Sequence, residues 1–205
     1  MRRGQASVLT MVIMTALALV ISLAIWNLFM SSAAIQREEA LTAATLARES
    51  ARISIINLAS VNISGAYRFA FQFVTMDYQP ASLYLMVLES VTESPRPVSF
   101  TLYEVPGPSA DISNSSMLDL ISNTTAHTEA ADSEYVMIRP PNSNEYAPLS
   151  IYYDSTVRPY RVFLHGEPEC YVIEVPSSAV SNQAQLIVLI KVSNKYYQIV
   201  ALPLS

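Results

Sequence analysis

The sequence predicts an α+β chain, one long apolar helix at the N-terminus followed by an antiparallel β-sandwich. Three observations carry this expectation. Residues 4–36 hold no Asp, Glu, Lys, Arg or His. Residues 37–65 continue a helical pattern that is rich in alanine and thinly charged. From Ala66 onward the texture changes to short runs rich in Tyr, Val and Ile, punctuated by Pro, Gly and Asn, which is the pattern of strands and turns.

The uncharged stretch of 33 residues, Gly4 to Gln36, is the first element. As a helix it reaches ~50 Å at ~1.5 Å per residue. A bilayer core of ~30 Å needs only about 20 residues, and the apolar part of a cleaved secretory signal spans roughly 7–15. The run is therefore longer than a plain anchor and much longer than a secretory signal. Arg2 and Arg3 lie on its short side, so the N-terminus is expected in the cytoplasm and the remainder outside.

Arg2-Arg3-Gly4, placed directly before Gln5-Ala6-Ser7 and the apolar run from Val8 to Ala34, resembles the class III signal of type IV pilins, in its archaeal version. The resemblance spans about 60 residues, the reach of one long helix. Many pilins carry a glutamate at the fifth residue after the cut. Here that residue is Leu9, as in archaeal filament subunits that lack the acid. The resemblance implies cleavage between Gly4 and Gln5 by a prepilin peptidase, passage through a membrane assembly platform, and burial of the retained helix in a helical homopolymer. Val8, Leu19, Leu23, Trp26, Leu28 and Ile35 are the expected polymerisation core.

Beyond Ile35, Glu38, Thr42, Thr45, Glu49 and Arg52 recur at helical spacing. Ala40, Ala43, Ala44, Ala47 and Ala51 leave room for close helix approach. Ile53, Ile55, Ile56, Leu58, Val61 and Ile63 spread around the same projected helix, which reads as a buried segment ending at Gly65. The expected helix thus runs from Gln5 to Ser64, with a leader over 1–4, a core helix and stalk over 5–65 and an exported head over 66–205.

The head predicts strands at Tyr67–Thr75, Ser82–Val91, Val98–Val105, Tyr135–Ile138, Ser150–Tyr153, Tyr160–Leu164, Glu169–Val175, Gln185–Val192 and Tyr196–Leu202. Turn signals separate them at Gln79-Pro80, Ser94–Pro97, Pro106–Pro108, Pro140–Asn142, Gly166–Pro168 and Val192–Lys195. Many short strands so punctuated point to an immunoglobulin-like sandwich. Ser109–Ser133 reads as a polar surface loop, with a helical turn or two at Ser115–Ser122.

Charge and chemistry narrow the function. Residues 66–205 hold fourteen acids and seven bases, which disfavours a nucleic-acid partner. Cys170 is the only cysteine, so no intrachain disulfide forms. Asn62, Asn114 and Asn123 each begin an Asn-x-Ser/Thr sequon and are glycosylation candidates. His127 and His165 are the only histidines and lack metal-ligand spacing. No phosphate loop or nucleophile motif is present, and Glu167/Glu169 and Asp132/Glu134 read as solvated loop charges. No catalytic residue, metal or cofactor is expected. Tyr152-Tyr153 and Tyr196-Tyr197 read as sheet-face aromatics, with adhesion open to them.

The expected protein is a subunit of an archaeal type IV pilus-like extracellular filament with a role in adhesion, held in the membrane as a single-pass precursor before assembly. An alternative is a membrane-anchored accessory, a minor pilin or a filament-to-surface-layer linker. A third reading, an anchored hydrolase, lacks residues to support it. If the resemblance holds, mature protein begins at Gln5, and Gly4→Leu blocks processing. Mass spectrometry of the native N-terminus checks this, and assembled protein that still begins at Met1 contradicts it.

Overall fold

The computed structural model describes residues 2–91, 94–105, 127–140, 143 and 145–205. The chain forms a long N-terminal apolar helix followed by mostly antiparallel β-sheets, an α+β arrangement. Two compact units divide it, Met1–Ala44 and Thr45–Ser205. The described residues of the first are all helix, the greater part of α1 (Arg2–Arg52).

The helix does not continue to Ser64. It ends at Arg52, and Ile53–Ile63 is strand β1, antiparallel to β2 (Ala66–Thr75). The isoleucines and valine of this stretch are apolar at both helical and strand spacing, so periodicity alone does not choose between them. Their stiff β-branched side chains favour a pleated surface, and β2 supplies a partner from Ile53↔Thr75 to Ile63↔Ala66. Gly65 is consequently not a helix stop. With φ at +86°, it turns the two-residue connection between the strands. The head unit accordingly starts at Thr45 rather than Ala66, and Leu46 and Ile53 are buried in its core.

The last turn of the helix is tied to the far end of this hairpin. Arg52 Nη1 reaches Glu49 at 2.8 Å and Arg52 Nε reaches Asp77 at 2.6 Å. Met76 N–H donates to the Arg52 carbonyl at 2.7 Å. A cation in the last helical turn also suits the negative end of the helix dipole.

One sheet has the order β1-β2-β12-β5, with β12 at Glu169–Pro176 and β5 at Thr101–Val105. The larger sheet is built on β3 (Ala81–Val91), β11 (Tyr160–Leu164), β13 (Gln185–Val192) and β14 (Lys195–Pro203). Shorter strands complete it: β4 (Ser94–Val98), β6 (His127–Thr128), β8 (Val136–Ile138) and β9 (Ala147–Pro148). A separate pair joins β7 (Ala131–Asp132) to β10 (Thr156–Val157). Not every pairing is antiparallel, because β8 runs parallel to β14.

The alternation of Phe69, Phe71 and Phe73 sends all three rings into one core, together with Tyr171, Ile173 and Val175 of β12. The larger sheet contributes Leu83, Leu85 and Val87 of β3 and Leu186, Val188 and Ile190 of β13 to that same core. The intervening residues Tyr84, Met86, Leu88, Ile187 and Leu189 enter a second cluster with Ala131, Leu149 and Val157. The continuous apolar run Leu186–Ile190 follows from this, since both faces of β13 are buried.

Some sequence expectations need correction. Val98–Val105 is broken at Ser99-Phe100 into β4 and β5, which join different sheets, and Ser94–Pro97 belongs to β4 rather than to a turn. Pro95 and Pro97 are tolerated because β4 pairs with β3 on one side only. Ser150–Tyr153 is not a strand; Leu149–Ile151 forms a short 3-10 turn. A five-residue helix α2, Ser177–Ser181, links β12 toward β13, where the sequence pattern marks no element. Residues 109–126 of the expected loop, with Ser115–Ser122, lie outside the described residues.

These contacts set where the head can be cut. Residues 45–205 keep β1, Leu46 and the Arg52 clamp, whereas residues 66–205 lose a whole edge strand. The longer fragment is expected to be soluble, with a mainly β circular dichroism spectrum and one cooperative melt. The shorter is expected to melt lower or aggregate. Equal melting temperatures contradict the assignment of β1.

Candidate functional site

The feature of the first unit with a functional bearing is the surface of α1 itself. Met11, Val12, Ile13 and Met14 are consecutive and all exposed, so no side of the helix is polar. Among the expected core residues, Leu19 and Leu23 are each 62 % exposed, Trp26 63 %, Leu28 70 % and Ile35 58 %. The backbones of Gly4, Gln5 and Val8 are helical. The structure thus places Leu19 to Ile35 on one apolar element without assigning any of them a partner.

Three hydroxyls within this stretch are turned back on the helix. Thr15 Oγ1 donates to the Met11 carbonyl, Ser22 Oγ to Ala18 at 2.8 Å and Ser31 Oγ to Leu28 at 2.9 Å. Each hydroxyl proton is satisfied on the helix itself, which lowers the cost of an apolar environment. By length and composition, Thr10–Arg52 contains a span able to cross a membrane.

The residues singled out in the head fall into structural positions. Asn62 is exposed on β1, close to the turn at Gly65. Asn114 and Asn123 lie outside the described residues. His165 follows the end of β11, and its Nδ1 lies 3.0 Å from Glu169. Glu169 is not simply solvated, as the sequence suggested: it also accepts from the His165 N–H at 2.6 Å and the Tyr171 hydroxyl at 2.9 Å. It closes the turn around Gly166, where φ is +101° and an added Cβ would lie 2.4 Å from the Tyr78 carbonyl oxygen. Asp132 accepts from the Glu134 N–H at 3.3 Å and so caps a short turn.

Tyr196 and Tyr197 lie on β14, as aromatics of a sheet, each edge-on to another tyrosine: Tyr196 to Tyr84 at 4.9 Å and Tyr197 to Tyr146 at 5.3 Å. The Tyr196 hydroxyl donates to Glu129 at 2.9 Å, beside Lys191 and Arg161. Burial alone raises the pKa of Glu129, but the Tyr196 hydroxyl and these two cations outweigh it and hold the carboxylate below its ordinary range. Spacing did not reveal this cluster, because Glu129 comes from one segment and its partners from β11, β13 and β14.

Among the described residues no group of three His, Cys, Asp or Glu side chains is arranged to hold a metal ion. The nearest approach to a reactive group is Cys170, which is 1 % exposed. Burial pushes its thiol up to about 11, and a buried thiol in apolar surroundings is inert. Comparison with family models, curated proteins and solved structures returned no match.

Cys170 gives a direct reading of head integrity. In the native protein at pH 8 it should resist a maleimide reagent over the time in which a free thiol is fully labelled. In denaturant it should react completely. Rapid native labelling contradicts the burial of β12.

Proposed function

We propose that the chain is a structural subunit of an archaeal type IV pilus-like filament, polymerising through its N-terminal helix, with its head exposed outside the cell and engaged in adhesion. The single observation that carries this reading is the uncharged helical surface, apolar on every side, over a length greater than a bilayer requires. In a membrane such a helix waits as a monomer with its backbone internally bonded. Drawn out among copies of itself, it buries the same side chains against neighbours.

The basic leader ending at Gly4 supports processing before assembly. The head is read as an immunoglobulin-like β-sandwich, supported by two sheets that share one core. It has no assigned catalytic role. Its partners in this reading are other copies of the chain, the prepilin peptidase and the assembly platform.

Leu28→Arg separates this function from plain anchoring. A cation near the end of a bilayer span reaches the interface at modest cost, whereas in a dry bundle of helices it is buried without a partner. The variant is expected to accumulate in the membrane at normal levels yet to yield no sheared fibres. Normal fibres from Leu28→Arg, or wild-type protein found only dispersed in the membrane, contradict the proposal. The second outcome moves the protein to the anchored accessory class.

A further inference from the structure

We infer that the head carries a binding cleft for an acidic saccharide at the point where strand β3 changes partners. The inference concerns the head alone and does not rest on the filament reading. On one edge, β3 pairs with β11 from Ala81 to Leu85, and with β4 from Val87 to Val91. Both strands lie on the same edge, because β13 occupies the other from Tyr84 to Leu88. Met86 alone in β3 has no partner residue on that edge. The two strands diverge there, and a cleft of about 410 Å³ opens between them. That size falls within the range of small-ligand sites, about 300–1,000 Å³.

Three kinds of group line it. Phe100, Tyr153 and Tyr160 present half-buried rings. Tyr160 is fixed: its hydroxyl donates to the Phe100 carbonyl at 3.1 Å, and the two rings meet edge-on at 4.8 Å. Thr128 and Thr156 bring hydroxyls. Arg158 brings a cation. Arg68 and Arg161 are each held by a carboxylate, Glu174 and Glu129. Arg158, like Arg96, Arg139 and Lys195, makes no ion pair among the described residues, and of these four it is the one that lines this cleft.

A uronic-acid sugar answers all three. Its carboxylate pairs with the guanidinium, its C–H face lies on the rings, and its hydroxyls meet the threonines. A phosphate or a polyglutamate peptide uses the arginine and the hydroxyls but offers the rings no sugar-like C–H face.

The test is calorimetric titration of the full chain in detergent micelles with tetramers of galacturonate and of mannuronate. The methyl ester of the first and tetraglutamate serve as controls. Saturable binding of at least one uronate is expected. Its methyl ester and the Arg158→Ala variant should each bind at least about tenfold more weakly, the loss of one charge-assisted bond. Tyr153→Ala should also weaken binding, and Arg158→Lys should restore part of it. Arg158 is exposed, so its variants should melt with the wild type. No saturable binding of either uronate, unchanged binding by Arg158→Ala, or equally tight binding of tetraglutamate overturns the inference.

Discussion

The constraint on which the rest depends is the aversion to water of an uncharged helical surface. Along residues 10–36 no side chain carries a charge, and no polar stripe lets the helix lie half in water. Burial of apolar surface contributes about 25 cal/mol per Å², so a helix of this kind left in water forfeits a large stabilisation. It needs lipid or protein around it. The back-bonded hydroxyls of Thr15, Ser22 and Ser31 fit the same demand. Charge returns only at Arg37, Glu38 and Glu39.

The head solves a different problem, and solves it with pleated alternation. Strands β3 and β13 of the larger sheet bury both faces: the odd-numbered residues Leu83, Leu85 and Val87 of β3 enter one cluster, and Tyr84, Met86 and Leu88 enter another. Some charges pair across the fold, as between Arg68 and Glu174 on neighbouring strands. Arg158, in the cleft between β4 and β11, makes no ion pair among the described residues and is the one cation lining that cleft.

Much of this was legible in the chain because it is local. Gln185–Val192 follows from the sequence to the residue, because the apolar run Leu186–Ile190 is followed closely by a turn at Ser193-Asn194. The alternation of Phe69, Phe71 and Phe73 gave the inward face of β2 directly. The helix surface was fully legible because composition alone defines it. Other parts were not, for physical reasons. Ile53–Ile63 is apolar at either period, and only the partner strand β2 settles its conformation. The parallel pairing of β8 with β14 joins segments about sixty residues apart, beyond any local pattern. The cleft draws Met86, Phe100, Thr128 and Arg158 from four separate segments, none of which carries a motif.

Trp26 offers the most direct test of the central claim. It is the only tryptophan in the chain, it lies in the apolar helix, and it is 63 % exposed in the single copy. Fluorescence of fibres sheared from cells and freed of lipid therefore reports the surroundings of that helix alone. The account predicts blue-shifted emission that iodide fails to quench, because neighbouring helices enclose the indole in the absence of lipid. Red-shifted emission, quenched by iodide, would show the helix facing water in the assembly and would contradict the claim that this surface is what the copies bury.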